Sequence, residues 1–150
     1  MLGQLAYYLK GIEMLPSLKP TKVQIEYDGK WFDDEIMLFL VSNTNSVGGF
    51  EKIAPEAKMD DGYFDLVILR KTNLAEFVRI ASLATKGAHL DDKNIFYTRA
   101  NRIKVHTEEK MQLNLDGEYG GLLPGEFENL YQHIEFFVSE GFIEKQAKIE

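Results

Sequence analysis

Met111-Gln112-Leu113-Asn114-Leu115-Asp116-Gly117-Glu118-Tyr119-Gly120-Gly121 is the stretch on which the reading of this chain turns. Met111, Leu113 and Leu115 alternate with Gln112, Asn114 and Asp116, the period-2 pattern of a half-buried strand. Its polar face carries Asn114 and Asp116, and Glu118 extends that face if the backbone stays extended. Two carboxylates two residues apart then stand at a strand end beside three glycines, a pair able to hold a metal or take a proton. A plainer reading competes, because Asp-Gly after an alternating run is also a strong hairpin signal. Against the hairpin, Glu118 to Asn129 reads as a loop, and alternation resumes only near Tyr131.

Other strands lie on either side of it. Thr21 to Tyr27 alternates, Asp28-Gly29 supplies a turn, and Trp31 to Val41 returns, which predicts a hairpin. The run Ile36 to Val41 is apolar on both faces, so this strand is expected to be central. It leads into a polar, glycine-rich loop from Ser42 to Phe50. Leu66 to Leu69, Ile95 to Thr98, Ile103 to Thr107 and Tyr131 to Val138 add further strand candidates. Asn73 to Lys86 reads as a helix capped by Asn73, striped by Leu74, Phe77, Val78, Ala81 and Ala84, and stopped by Gly87. Leu2, Leu5, Ala6, Leu9 and Ile12 suggest an N-terminal helix closed by Pro16. That helix lacks a capping residue, so the chain either begins with it or is cut from a longer protein. About seven strands against two helices predict a mainly β fold: an antiparallel β-sandwich with two or so flanking helices. Residues 1–138 form that domain, and the charged residues 139–150 a tail.

Composition narrows the function. With 150 residues, the chain can bury a core as one domain. A net charge of −7 disfavours a phosphate-binding surface, so nucleic acid is not an expected partner. There is no cysteine, hence no disulfide or thiolate metal site. No apolar run reaches the length of a membrane span, so any membrane contact is expected to be peripheral, and the lack of cysteine fits a reducing cytosol, the expected location being cytoplasmic. Asp60-Asp61-Gly62 before Tyr63 is either a turn with solvated acids or a turn aiming carbonyls and one carboxylate at a hard cation. His89, His106 and His133 lack ligand spacing.

Several of these stretches together resemble one family. Asn43 and Asn45 before Gly48-Gly49, Ile53-Ala54-Pro55-Glu56-Ala57, Asp60-Asp61-Gly62-Tyr63-Phe64-Asp65 and Leu115-Asp116-Gly117-Glu118 are similar to the C-terminal domain of bacterial diacylglycerol kinases and related soluble lipid kinases. The resemblance covers roughly residues 1–138. It implies a β-sandwich that completes a cleft with an N-terminal ATP-binding domain. That domain's Gly-Gly-Asp-Gly-Thr signature is absent from this sequence. By the same resemblance, Glu118 is the general base that deprotonates a lipid hydroxyl as it attacks the γ-phosphorus of ATP. Asp116 positions it or contacts the catalytic metal. The Asp-Asp-Gly turn would hold a structural Mg²⁺ through the Lys58 carbonyl, the Asp61 carboxylate and the Tyr63 carbonyl. The implied partners are ATP and a diacylglycerol-like lipid, with a homodimer among the expectations. The alternative is a non-catalytic β-sandwich that binds a lipid or protein.

Overall fold

A computed structural model describes residues 19–46, 52–135 and 137. The expected N-terminal helix, the Gly48-Gly49 part of the polar loop and the charged tail lie outside them. Among the described residues, eight strands and one helix follow in order: β1 (Thr21–Tyr27), β2 (Lys30–Ser42), β3 (Phe64–Arg70), α1 (Leu74–Ala84), β4 (Ile95–Ala100), β5 (Arg102–His106), β6 (Gln112–Leu115), β7 (Glu118–Leu122) and β8 (Gly125–Glu128). Six strands form one sheet in the order β4-β3-β2-β1-β5-β8, and β6-β7 form a second of two strands. Every pairing is antiparallel.

The larger sheet is curled. β4 and β5 occupy its first and fifth places, yet a single residue, Asn101, joins them, which holds their adjoining ends within about 7 Å. In a flat sheet β4 and β1 would stand about 14 Å apart. Instead the Phe96 ring lies 5.7 Å from that of Tyr27 and 5.0 Å from that of Phe32. Phe39 of β2 meets Phe127 of β8 at 6.4 Å. The two halves of the sheet therefore face one another across a core of Val23, Ile25, Phe32, Ile36, Leu66, Ile68, Ala100, Ile103, Val105 and Leu123. Met111 and Leu113 bring the β6-β7 hairpin onto the same core. The result is the mostly antiparallel sandwich that the alternation predicts.

β2 is central, flanked by β1 and β3. A bulge between Ile36 and Leu38 moves its inward positions from Phe32 and Ile36 to Phe39 and Val41. That change of parity is why Ile36 to Val41 reads as apolar on both faces. The outer face is wet over β1, β5 and β8, where Lys22 pairs with Asp33, Lys104 with Glu26 and Arg102 with Glu126. Over β3 it is dry: Asp65, Val67 and Leu69 are buried on one face, Leu66 and Ile68 on the other. Asp28 clamps the curl, since its carboxylate accepts the Asn101 N–H at 3.0 Å and the Arg102 N–H at 2.9 Å.

Three expectations need correction. Glu118 to Asn129 is not a loop, since it contains β7 and β8. Of the expected strand Tyr131 to Val138, the described stretch Tyr131 to Glu135 is turn and irregular backbone, paired with no strand among the described residues. In α1, Asn73 caps as expected, accepting the Glu76 N–H at 2.9 Å. The buried face, however, centres on Ile80 and Ala84, while Leu74 and Val78 are exposed.

Candidate functional site

The hairpin reading of Asp116-Gly117 is the one the structure adopts. Leu115 pairs with Glu118 and Asn114 with Tyr119, leaving Asp116 (φ +51) and Gly117 (φ +97) as the two turn residues. Positive φ at both is the type I′ signature, which matches the twist of the flanking strands. Asn114 Oδ1 tightens the turn by accepting the Gly117 N–H at 2.8 Å. Glu118 therefore does not continue the polar face of Asn114. Cross-strand partners share a face, so Glu118 stands on the side of Leu115. On that side Gly120 is required, because a Cβ there would fall 2.4 Å from Leu115 Cγ. Asp116 and Glu118 are both exposed, at a tip whose neighbours Leu115 and Tyr119 are 50% and 69% exposed. The tip thus sets two carboxylates among apolar side chains, open to whatever binds there.

The second candidate is the turn from Lys58 to Tyr63. Lys58 and Tyr63 are exposed and Asp61 is half-buried. Asp61 Oδ1 accepts the Tyr63 N–H at 3.0 Å, an Asx turn that fixes the direction of the carboxylate. Its Oδ2 receives the guanidinium of Arg99, which also lies 5.2 Å from the centre of the Tyr63 ring. Asn101 braces the turn by donating through Nδ2 to the Gly62 carbonyl at 3.0 Å and to the Asn129 carbonyl at 3.2 Å. Asn129 Nδ2 in turn donates to Asn43 Oδ1 at 3.2 Å. The turn fits a hard cation chemically: its donors are oxygens, and Asp61 already presents one of them to a positive charge.

Behind the turn, Asp65 is fully buried and takes the Tyr97 hydroxyl on Oδ1. Burial raises its pKa above the usual carboxylate value, and burial likewise raises that of Tyr97. Among the described residues no three His, Asp or Glu side chains converge on one metal position. Asp61 and the Asp116–Glu118 pair thus do not together form a metal cluster. No motif in the sequence marks Arg99 or Asn101. Alternation past Thr98 was the available signal: Tyr97 and Arg99 share the face opposite core-facing Phe96.

The family described as the YegS C-terminal NAD kinase beta sandwich-like domain matches residues 1–138. The chain belongs to this family. As a YegS C-terminal domain, it is 71% identical over 134 residues to the diacylglycerol kinase of Bacillus subtilis (strain 168), covering 89% of this chain and 44% of that protein. It is 53% identical over 137 residues to the diacylglycerol kinase of Staphylococcus saprophyticus, covering 91% and 45%. A crystal structure of a diacylglycerol kinase from Bacillus anthracis str. Sterne superposes with a TM-score of 0.58 at 25% identity, covering 81% of this chain and 45% of that one. The chain thus spans less than half the length of these relatives. No helix among the described residues is long and apolar enough to cross a membrane.

Proposed function

We propose that this domain supplies the lipid-side half of the active site of an ATP-dependent lipid kinase, with a diacylglycerol-like hydroxyl as acceptor and phosphatidic acid as product. The observation that carries the reading is the β6-β7 tip, where a two-residue turn delivers Glu118 at the start of a strand, exposed and next to Asp116. The kinship with proteins named diacylglycerol kinase supports the substrate class. Glu118 takes the proton of the acceptor hydroxyl as that oxygen attacks the γ-phosphorus, while the bond from that phosphorus to the β,γ-bridging oxygen breaks and ADP leaves. Asp116 orients Glu118 or a cation at the phosphates, and the exposed Leu115 and Tyr119 offer the lipid an apolar approach from a peripheral position on the membrane. Phosphoryl transfer asks a protein mainly for positioning and charge stabilisation, and the ATP phosphates are held by a nucleotide-binding half outside this chain.

The Lys58 carbonyl, the Asp61 carboxylate and the Tyr63 carbonyl are the groups that would hold Mg²⁺. There the ion would lend structural support to the turn, with water completing its shell.

The test is a chimera joining this domain to the N-terminal portion of the Bacillus subtilis relative. In it, Glu118→Gln is expected to lower kcat on diacylglycerol by about 10²-fold or more, with the KM for ATP nearly unchanged. Near-normal kcat in Glu118→Gln together with its loss in Asp116→Asn would reassign the base to Asp116.

A further inference from the structure

Arg99 of β4 lies directly across the ladder from Asp65 of β3, yet its guanidinium is turned to Asp61, above the Tyr63 ring. Asp65 is fully buried, and only one of its oxygens is engaged. Oδ1 accepts the Tyr97 hydroxyl, while Oδ2 is buried with no hydrogen-bond partner among the described residues. Directly opposed strand residues have their Cβ atoms about 5 Å apart, within easy span of an arginine. One guanidinium therefore has two carboxylates in reach, one satisfied by it and one with an oxygen still open.

We propose that Arg99 is the built-in counter-cation of the Asp61 turn, paired with Asp61 when the turn holds no divalent cation and transferred to Asp65 when it does. The inference rests on the reading of the turn as a divalent-cation site given above. Its physical basis is competition for a single oxygen. A guanidinium and a divalent cation cannot both occupy Asp61 Oδ2, because like charges repel strongly at contact distance in a partly buried site. Asp65 gives the displaced guanidinium a destination on the same face of the sheet, and the aromatic ring of Tyr63 gives it a surface to slide across. In both arrangements Asn101 keeps its bond to the Gly62 carbonyl, so the turn is not lost in the exchange. Arg99 thereby sets the cation concentration at which the turn fills.

The experiment uses the 150-residue chain and Mg²⁺ alone. Thermal midpoints are recorded over a Mg²⁺ titration for wild type, Arg99→Gln, Arg99→Lys and Asp61→Asn. The Arg99 side-chain Nε–H resonance, assigned from its loss in Arg99→Gln, is followed by NMR in the wild type. Removing the competitor is expected to shift the Mg²⁺ midpoint of stabilisation about tenfold lower in Arg99→Gln, with Arg99→Lys between it and wild type. The Arg99 resonance is expected to move with the wild-type midpoint, and Asp61→Asn to abolish the stabilisation. If Asp61→Asn keeps the wild-type response, the turn is not the cation site, and both readings fall. If Asp61→Asn loses the response but Arg99→Gln titrates like wild type, the cation site stands and the exchange is overturned. Should Arg99→Gln fail to fold by circular dichroism, Arg99→Lys, which also lacks the guanidinium and so assigns the resonance, decides together with the wild-type titration. A resonance that stays put through saturation refutes the exchange.

Discussion

His89 shows how one side chain can tie acid sensitivity to the fold. It is buried, and its Nε2 lies 2.9 Å from the Ile53 carbonyl. That geometry makes Nε2 the protonated nitrogen and leaves Nδ1 buried without a partner among the described residues. Burial lowers the His89 pKa, and the bond to Ile53 only partly opposes this. Because the folded pKa lies below the unfolded value near 6.5, the unfolded chain binds the extra proton first as pH falls. The stabilisation is thus whole above about pH 6.5 and is lost as pH drops towards the folded pKa, with a slope of at most about 1.4 kcal/mol per pH unit. His89→Gln is expected to flatten the fall in thermal midpoint between pH 7 and pH 5. Parallel curves for the two proteins would show that His89 does not titrate with unfolding. Asp65 carries the opposite sign. Its raised pKa means that ionisation weakens the fold as pH rises from the unfolded carboxylate range through the folded value.

Among the elements, the β6-β7 hairpin is the most informative. Gly117 sits at φ +97, where an L-residue is strained, and Gly117→Ala is expected to cost about 1–2 kcal/mol. Because the hairpin forms its own two-stranded sheet, that loss is expected to be local. Hydrogen exchange is expected to quicken at Glu118 to Leu122 and to stay unchanged at Leu66 to Leu69; uniform loss of protection would mean that the two sheets unfold as one. The turn was legible in the sequence because Asp-Gly has a specific backbone requirement. The returning strand was not, for a physical reason: Glu118-Tyr119-Gly120-Gly121-Leu122 carries two adjacent glycines, and the pairing slips between Gln112 and Asn114. Period 2 is lost just where the chain turns back. β8, at four residues, is too short for a period to emerge, whereas the exposed aromatic alternation after Leu130 imitates one. The candidate carboxylates could be read from motif and resemblance. The Arg99–Asp65 pair follows from the strand register, which no local pattern encodes.

At the scale of the whole molecule, the sandwich is a support for groups at its margin. The hairpin tip offers carboxylates and apolar surface, and the Asp61 turn offers oxygens. The sequence contains no glycine-rich signature that would cradle triphosphate. The chain alone is therefore expected to transfer no phosphate from ATP to diacylglycerol. Radiolabelled ATP and mixed micelles provide the measurement, and turnover above that of a Glu118→Gln control would contradict the proposed division of labour.

The one-residue join at Asn101 also bears on the order in which the molecule can be made. β1 finds one neighbour, β2, within a few residues, but the other, β5, pairs Gln24 with His106. A growing chain must therefore emerge almost to the start of the β6-β7 hairpin before the edge of β1 can be covered. Until then a half-built sheet waits with one edge open, and long-range closure of this kind is slow and prone to pairing with other chains. The same tight join that holds the finished halves together leaves no slack for a late correction, so assembly depends on the first three strands lasting until the fifth arrives.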